Sequence, residues 1–224
     1  MANKLWDKGF KEDERIDAFT VGNDRELDHE LAPYDIMGTM AHITMLESVG
    51  LLSKEDLDKL LPVLKELYSS ACKGELYVEE DVEDIHSQIE LMLTRRLGDV
   101  GKKVHTGRSR NDQVLVDLKL YARAEIENTV HKVESLFNTL QEASERYKDV
   151  LIPGYTHLQV AMPSSFGLWF GAYAESLCDD LSIMKAAWDV VNLNPLGSAA
   201  GYGSSAPLNR TLTTVLLGFG DLDY

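Results

Sequence analysis

Apolar residues in this chain recur mostly at spacings of three and four, the mark of amphipathic helices, and strict two-residue alternation is scarce. Ile36, Met40, Ile43 and Leu46 follow Pro33 at that spacing and stop near Gly50. Leu57, Leu60, Leu61, Leu64 and Leu67 form a second stripe that Gly74 ends. It is introduced by Ser53-Lys-Glu-Asp56, a capping-box pattern with Asp in place of Glu or Gln. A third stripe runs from Asp84 through Ile85, Ile89 and Leu93 to Leu97 and closes at Gly98.

Two much longer stripes follow. Val114, Leu118, Tyr121, Ile126, Val130, Val133, Phe137 and Leu140 predict a helix from Asn111 to about Lys148, roughly 55 Å at the standard rise. Phe166, Phe170, Tyr173, Leu177, Leu181, Met184 and Trp188 predict another after Pro163. Helices of that length must each bury a full-length stripe, so the pattern implies an all-α fold built on a bundle or coiled coil. The linker Val150 to Pro163, with Pro153-Gly154, reads as too irregular for helix, and its shortness makes the long helices antiparallel neighbours. The Gly-, Ser- and Ala-rich stretch from Asn194 to Pro207 predicts a loop, and nothing after Leu217 carries a helix signal. Two long helices make a hairpin, not a closed bundle, so partner subunits or further chain are expected to supply the rest. The division this implies is a small helical domain over 1–110 and the start of a central bundle over 111–224.

Composition narrows the function. The 224 residues carry a formal net charge of −15, which argues against nucleic acid and anionic membrane surfaces as partners. It leaves a small anion open, because a local arginine pair dominates at contact distance. Cys72 and Cys178 lie in helix-like segments without C-x-x-C spacing and read as reduced thiols of a cytoplasmic protein. The first residues are polar, with no apolar signal region, and no later segment has the apolar length of a membrane span.

Against that acidic background, His105-Thr-Gly-Arg-Ser-Arg-Asn-Asp-Gln-Val114 stands out. Arg108 and Arg110 flank Ser109, and Asn111-Asp112 follow as N-cap-type residues directly before the first long stripe. Side-chain donors and a helix N-terminus converge there on a volume suited to a carboxylate or phosphate. The bland alternative is a solvated basic turn paired with Asp112 and Asp117. A second cluster, Gly154-Tyr-Thr-His-Leu-Gln159, places Thr156 and His157 in the linker, where a histidine can serve as acid or base. By itself it is equally a histidine satisfying loop carbonyls. A third, around Glu79 to Glu90, puts His86 and Glu90 on one helix face. Glu26-x-x-His29 and Glu83-x-x-His86 match the spacing of di-metal carboxylate bundles, although the first lies outside the long helices. His42 and His131 read as packing or surface residues, and His105 has no spacing signal. Gly203 to Arg210 has the look of a catalytic serine loop without its chemistry.

Taken together, these residues resemble the argininosuccinate lyase family of the fumarase/aspartase superfamily. The run His105 to Val114 matches the family segment HTGRSRNDQV without a change; Gly154 to Gln159 resembles G-Y-T-H-x-Q, and Asp84-Ile-His86 with Ile89-Glu90 resembles D-(V/I)-H-x-x-(I/N)-E. Weaker agreement extends from Leu5-Trp6 through Asp35-Ile36 and Gly38 to Pro195-Leu-Gly-Ser198. Departures are Phe19-Thr-Val-Gly-Asn-Asp24 where the family has a serine in F-N-x-S, Met162 where it has Gln, and Asn209 where it has Asp before Arg210. The resemblance implies reversible elimination of arginine from argininosuccinate to give fumarate, with no metal or organic cofactor. It implies Ser109, Arg110, Asn111, Thr156, His86 and Gln159 as substrate contacts and His157 as an acid/base. The family's signature serine loop falls beyond Tyr224, so this chain is expected to correspond to the N-terminal portion, inactive alone, of a cytoplasmic homotetramer with small-molecule partners only. Two alternatives stand beside this reading, a di-metal helical bundle and a non-catalytic helical assembly protein of the same fold.

Overall fold

The protein is described by a computed structural model covering residues 15, 16, 19, 22–80 and 82–224. The expected agreement at Leu5-Trp6 and part of the segment 19–24 lie outside the described residues. By contact the chain forms two compact units, one of residues 1–121 with 192–224 and one of residues 122–191.

In the first unit the short apolar stripes become three packed helices. These are α1 (Ala32–Ser48), α2 (Lys54–Cys72) and α3 (Ile85–Leu97). Their inward faces merge into one core of Ile36, Ile43, Leu46, Leu60, Leu64, Ile85, Ile89 and Leu93, all essentially buried. At about 25 cal/mol per Å² of apolar area removed from water, burial of this kind holds the three helices together. The starts are capped as their sequences require. Ser53 Oγ accepts from Asp56 N–H at 3.1 Å, and Asp84 Oδ1 accepts from Ser87 N–H at 2.8 Å.

A long helix, α4 (Arg110–Arg146), begins in this unit. Its first turns pack against α1. Gly38 permits the close approach, since a Cβ there would stand 3.1 Å from Val116 Cγ1. Val116 and Leu120 form a second cluster with Ala41, Leu196, Leu217 and Phe219, so residues after 192 return to cover this helix start. That return contains β3 (Leu193–Asn194), a loop, α6 (Arg210–Leu216) and β4 (Asp221–Leu222), with β3 and β4 pairing parallel. Arg210 ties it together by donating to the carbonyls of Leu196, Asn194 and Asp223. Asn209 caps α6 by accepting from Leu212 N–H at 3.0 Å, a task that Asn and Asp perform equally.

The second unit is an antiparallel helical hairpin. The rest of α4 pairs with α5 (Phe166–Val191). Ser144 Oγ donates to Gly167 O at 2.7 Å near one end, and the Arg123 guanidinium lies 5.4 Å from the Trp188 ring centroid near the other. The antiparallel expectation therefore holds. The linker does not stay irregular, however. Residues Leu151–Thr156 (β1) and Gln159–Ser165 (β2) form an antiparallel β-hairpin with an irregularity between Gly154 and Tyr155. Prolines in both strands hid it, yet an isolated two-stranded ribbon has only edges, where a missing N–H is tolerated.

Candidate active site

The arginine run lies at the N-terminus of α4, and the local chemistry sets that boundary. Ser109 N–H donates to Asp112 Oδ1 at 2.9 Å, and Asn111 N–H donates to Ser109 Oγ at 3.2 Å. This is a reciprocal capping box. The cap is thus Ser109, two residues before the Asn111-Asp112 pair. The other Asp112 oxygen accepts from Gly197 N–H at 2.8 Å and Ala199 N–H at 3.0 Å, which pins the returning loop to the helix start.

The two arginines part company. Arg110 turns toward α3, donating from Nη1 to Asp84 Oδ2 at 2.6 Å and from Nη2 to Ser87 Oγ at 2.8 Å, with Glu83 Oε2 3.6 Å away. Asp84 thus caps α3 with one oxygen and fixes the Arg110 guanidinium with the other. Arg108 turns inward and is buried, donating from Nη1 to Thr39 Oγ1 at 3.0 Å. Burial lowers its affinity for the proton while Asp35, Asp117, Asp112 and Glu90 hold the charge in place.

Beneath Arg108 lies a buried polar network that periodicity did not single out. His86 Nδ1 is 2.5 Å from Asp35 Oδ2 and 3.4 Å from Asp117 Oδ2. Gln113 Nε2 donates to the same Asp35 oxygen at 2.6 Å. Asp35 and Asp117 are fully buried, and neither Asp117 oxygen accepts a hydrogen bond. Burial pushes Asp35 up, but His86, Arg108 and Gln113 outweigh it and leave its carboxyl below the usual range. Burial and the neighbouring Asp35 push Asp117 well above it. Burial pulls His86 down, but its hydrogen bond to Asp35 prevails and raises it. His42, buried beside Arg108, is pulled down to about 3 by burial first and that charge second, and its Nε2 donates to Thr106 O at 2.8 Å as a neutral packing residue. A small cavity opens above the network, lined in part by His86, Glu90, His105, Arg108 and Arg110.

Could this trio hold a metal? Asp35, His86 and Asp117 offer atoms within 4.8 Å of one another. A nitrogen and an oxygen 2.5 Å apart are hydrogen-bonded to each other, though, and a cation needs its ligands spread around it at about 2 Å each. The buried Arg108 guanidinium beside them further opposes a divalent ion. Of the two Glu-x-x-His pairs, His86 belongs to this network, while His29 is an exposed residue bonded to the Glu26 carbonyl.

Thr156, His157 and Gln159 lie in the second unit, at the tip of the β-hairpin, and all three are exposed. Thr156 pairs with Gln159, so His157 and Leu158 are the two turn residues, at φ +52° and +62°. Both angles are left-handed, as a type I′ turn requires, and neither residue is the Gly or Asn that adopts them cheaply. Gly154 earns its place differently. A Cβ there would meet Met162 O at 2.9 Å across the ribbon.

The sequence pattern of a family described as Lyase matches residues 8–218. The chain belongs to this lyase family. The lyase chain is 66% identical over 224 residues to an argininosuccinate lyase of Parabacteroides distasonis, covering all of this chain and 50% of that one. It is 38% identical over 224 residues to an argininosuccinate lyase of Thermotoga neapolitana, covering 56% of it. The lyase chain therefore spans about half the length of these relatives. Among solved structures, an EDDS lyase variant with bound fumarate matches 96% of the lyase chain and 42% of its own, at TM-score 0.77 and 29% identity. A fumarate lyase:delta crystallin from Brucella melitensis shares the fold at TM-score 0.72 and 16% identity. The all-α bundle architecture is that of the fumarase/aspartase superfamily. No helix of the described residues is long and apolar enough to cross a membrane.

Proposed function

We propose that the whole protein is an argininosuccinate lyase, splitting argininosuccinate reversibly into arginine and fumarate. The observation that carries this is the unbroken HTGRSRNDQV run, capped at the start of a 37-residue helix, in a chain 66% identical to named argininosuccinate lyases. The reaction removes a proton from a carbon beside a carboxylate and then breaks the C–N bond. The carbanion spreads its charge into that carboxylate, and fixed donors in a dry site are what lower its energy. Ser109, Arg110 and Asn111 supply such donors at a helix N-terminus and His86 adds a contact from α3, while Thr156 and Gln159, like His157, reach the site from another subunit of the assembly. His157 acts as acid or base toward the carbon or the leaving nitrogen. Hydrogen bonds alone can handle the anion, so the mechanism calls on no metal or organic cofactor. We further propose a cytoplasmic homotetramer, divided in each subunit at residues 110 and 111, where the short helices give way to α4.

Calorimetric binding of fumarate to the whole protein tests the site. Arg110→Ala should weaken it by about 2 kcal/mol, the scale of a desolvated charge-assisted contact, or roughly 30-fold. Arg110→Lys should recover only part, because an ammonium cannot present the planar fork. Unchanged affinity in folded Arg110→Ala protein would remove Arg110 from the site.

A further inference from the structure

We infer that Asp35 and Asp117 are positioning residues with unequal roles: Asp35 is the ionised partner that keeps His86 an imidazolium, and Asp117 is a neutral carboxyl that carries a proton beside the pair. The outward ring N–H of His86 is then a charged donor to the cavity above. The inference deepens the lyase reading in one respect only, the identity of the anion that this donor meets.

Geometry fixes the assignment. Asp35 Oδ2 takes two donors, His86 Nδ1 at 2.5 Å and Gln113 Nε2 at 2.6 Å. Two such short bonds on one oxygen are those of a charge-assisted acceptor, which an ionised carboxylate is and a neutral carboxyl is not. Asp117 sits 3.4 Å from the same ring nitrogen and accepts nothing, although fully buried. A second buried carboxylate in that position would be unsolvated and would repel the first. A proton on Asp117 removes both penalties.

The charged groups around His86 agree. Asp28 faces it from the turn before α1, Asp35 from α1, and Asp84 from its own helix. Asp117 faces it from α4. Two guanidiniums oppose these four carboxyl groups: Arg108 beside Asp35 and Asp117, and Arg110 on Asp84. A proton on Asp117 and another on His86 reduce the excess of carboxyl groups over cations there. Glu90, one turn along, faces Arg108, Arg110 and Lys102 instead, and the two arginines hold His105 down after burial. With Nδ1 committed below, Nε2 is the nitrogen left to serve the cavity that His86 lines.

The test is a histidine-resolved NMR titration of the whole protein, repeated for Asp35→Asn and Asp117→Asn, with succinate as the anion probe. In the unsubstituted chain His86 should titrate above the ordinary value of 6.5. Asp117→Asn should leave it there, and Asp35→Asn should bring it below. An infrared carbonyl band from a protonated carboxyl should persist at neutral pH and disappear in Asp117→Asn. Should Asp35→Asn fail to fold, the midpoint in the unsubstituted chain and the infrared band decide alone. A His86 that is neutral at pH 7, a midpoint that collapses in Asp117→Asn, or a missing carbonyl band overturns the inference. Succinate is expected to shift the His86 resonances. A charged His86 that ignores succinate supports the triad and counts against a dicarboxylate as its ligand.

Discussion

Asp117 is the residue whose environment departs furthest from its sequence appearance. In the chain it is one acid among many, yet it lies fully buried with no hydrogen bond to either oxygen. Burial first, and Asp35 second, raise its folded pKa well above the ordinary 3.8. A raised folded pKa contributes stability that is complete below the unfolded value and is lost as pH rises through the folded one. The native state therefore carries a penalty at neutral pH that an uncharged isostere would not. Asp117→Asn is expected to melt higher than the unsubstituted protein at pH 7, with the difference fading as pH approaches 4. A lower melting temperature at pH 7 would mean that Asp117 is ionised and satisfied. The arginine run and the histidines were legible as sites because their residue types announce chemistry. Asp35 and Asp117 were not: the partners of Asp35 come from helices 51 and 78 residues away along the chain, and Asp117 meets His86 only through the packing of α4 on α3 and α1. The one available signal was an acid inside an apolar stripe, as in Val116-Asp117-Leu118 and Asp35-Ile36.

The long and short helices were legible as elements almost to their ends, since period and caps both mark them. α3 runs from Asp84's cap to Gly98 as its sequence implies. What failed was the ribbon at 151–165, whose prolines and lack of an Asn-Gly turn mask a hairpin held in register by its neighbours. Its turn is costly. Leu158 is 97% exposed at φ +62° and gives up no burial if replaced. Leu158→Gly should therefore stabilise the hairpin by about 0.5–1 kcal/mol, the left-handed penalty less the entropy of the added glycine. Urea unfolding measures it, and a loss of stability would show that Leu158 has a packing role. Gly167 predicts the opposite sign. A Cβ there would stand 2.6 Å from Lys148 Cα and 2.8 Å from Ser144 O, where α4 and α5 meet. Gly167→Ala should destabilise by about 1–3 kcal/mol, because the backbone clash exceeds the gain in helix propensity of about 1 kcal/mol. Equal or greater stability would show that the helices separate without cost.

Across the whole molecule, the helical hairpin leaves many apolar side chains uncovered. Leu168 is 69% exposed, Ile183 75% and Val190 66%, all on α5. Such faces drive association. Sedimentation of the 224-residue chain should give masses above the 25.0 kDa monomer. A monodisperse monomer at micromolar concentration would show that these faces need no partner. The antiparallel pairing of the long helices was legible from stripe length and the short linker, whereas the return of residues 192–224 onto the start of α4 was not. It depends on Asp112 capturing two loop amides, a contact with no local signature. The central claim concerns chemistry, and fumarate formation tests it most directly. The whole protein, supplied with argininosuccinate, should release fumarate and arginine in equal amounts, followed by fumarate absorbance, and should run in reverse from those products. His157→Asn should abolish most of the rate in protein that still folds and assembles. Folded, assembled whole protein that forms no fumarate would contradict the account.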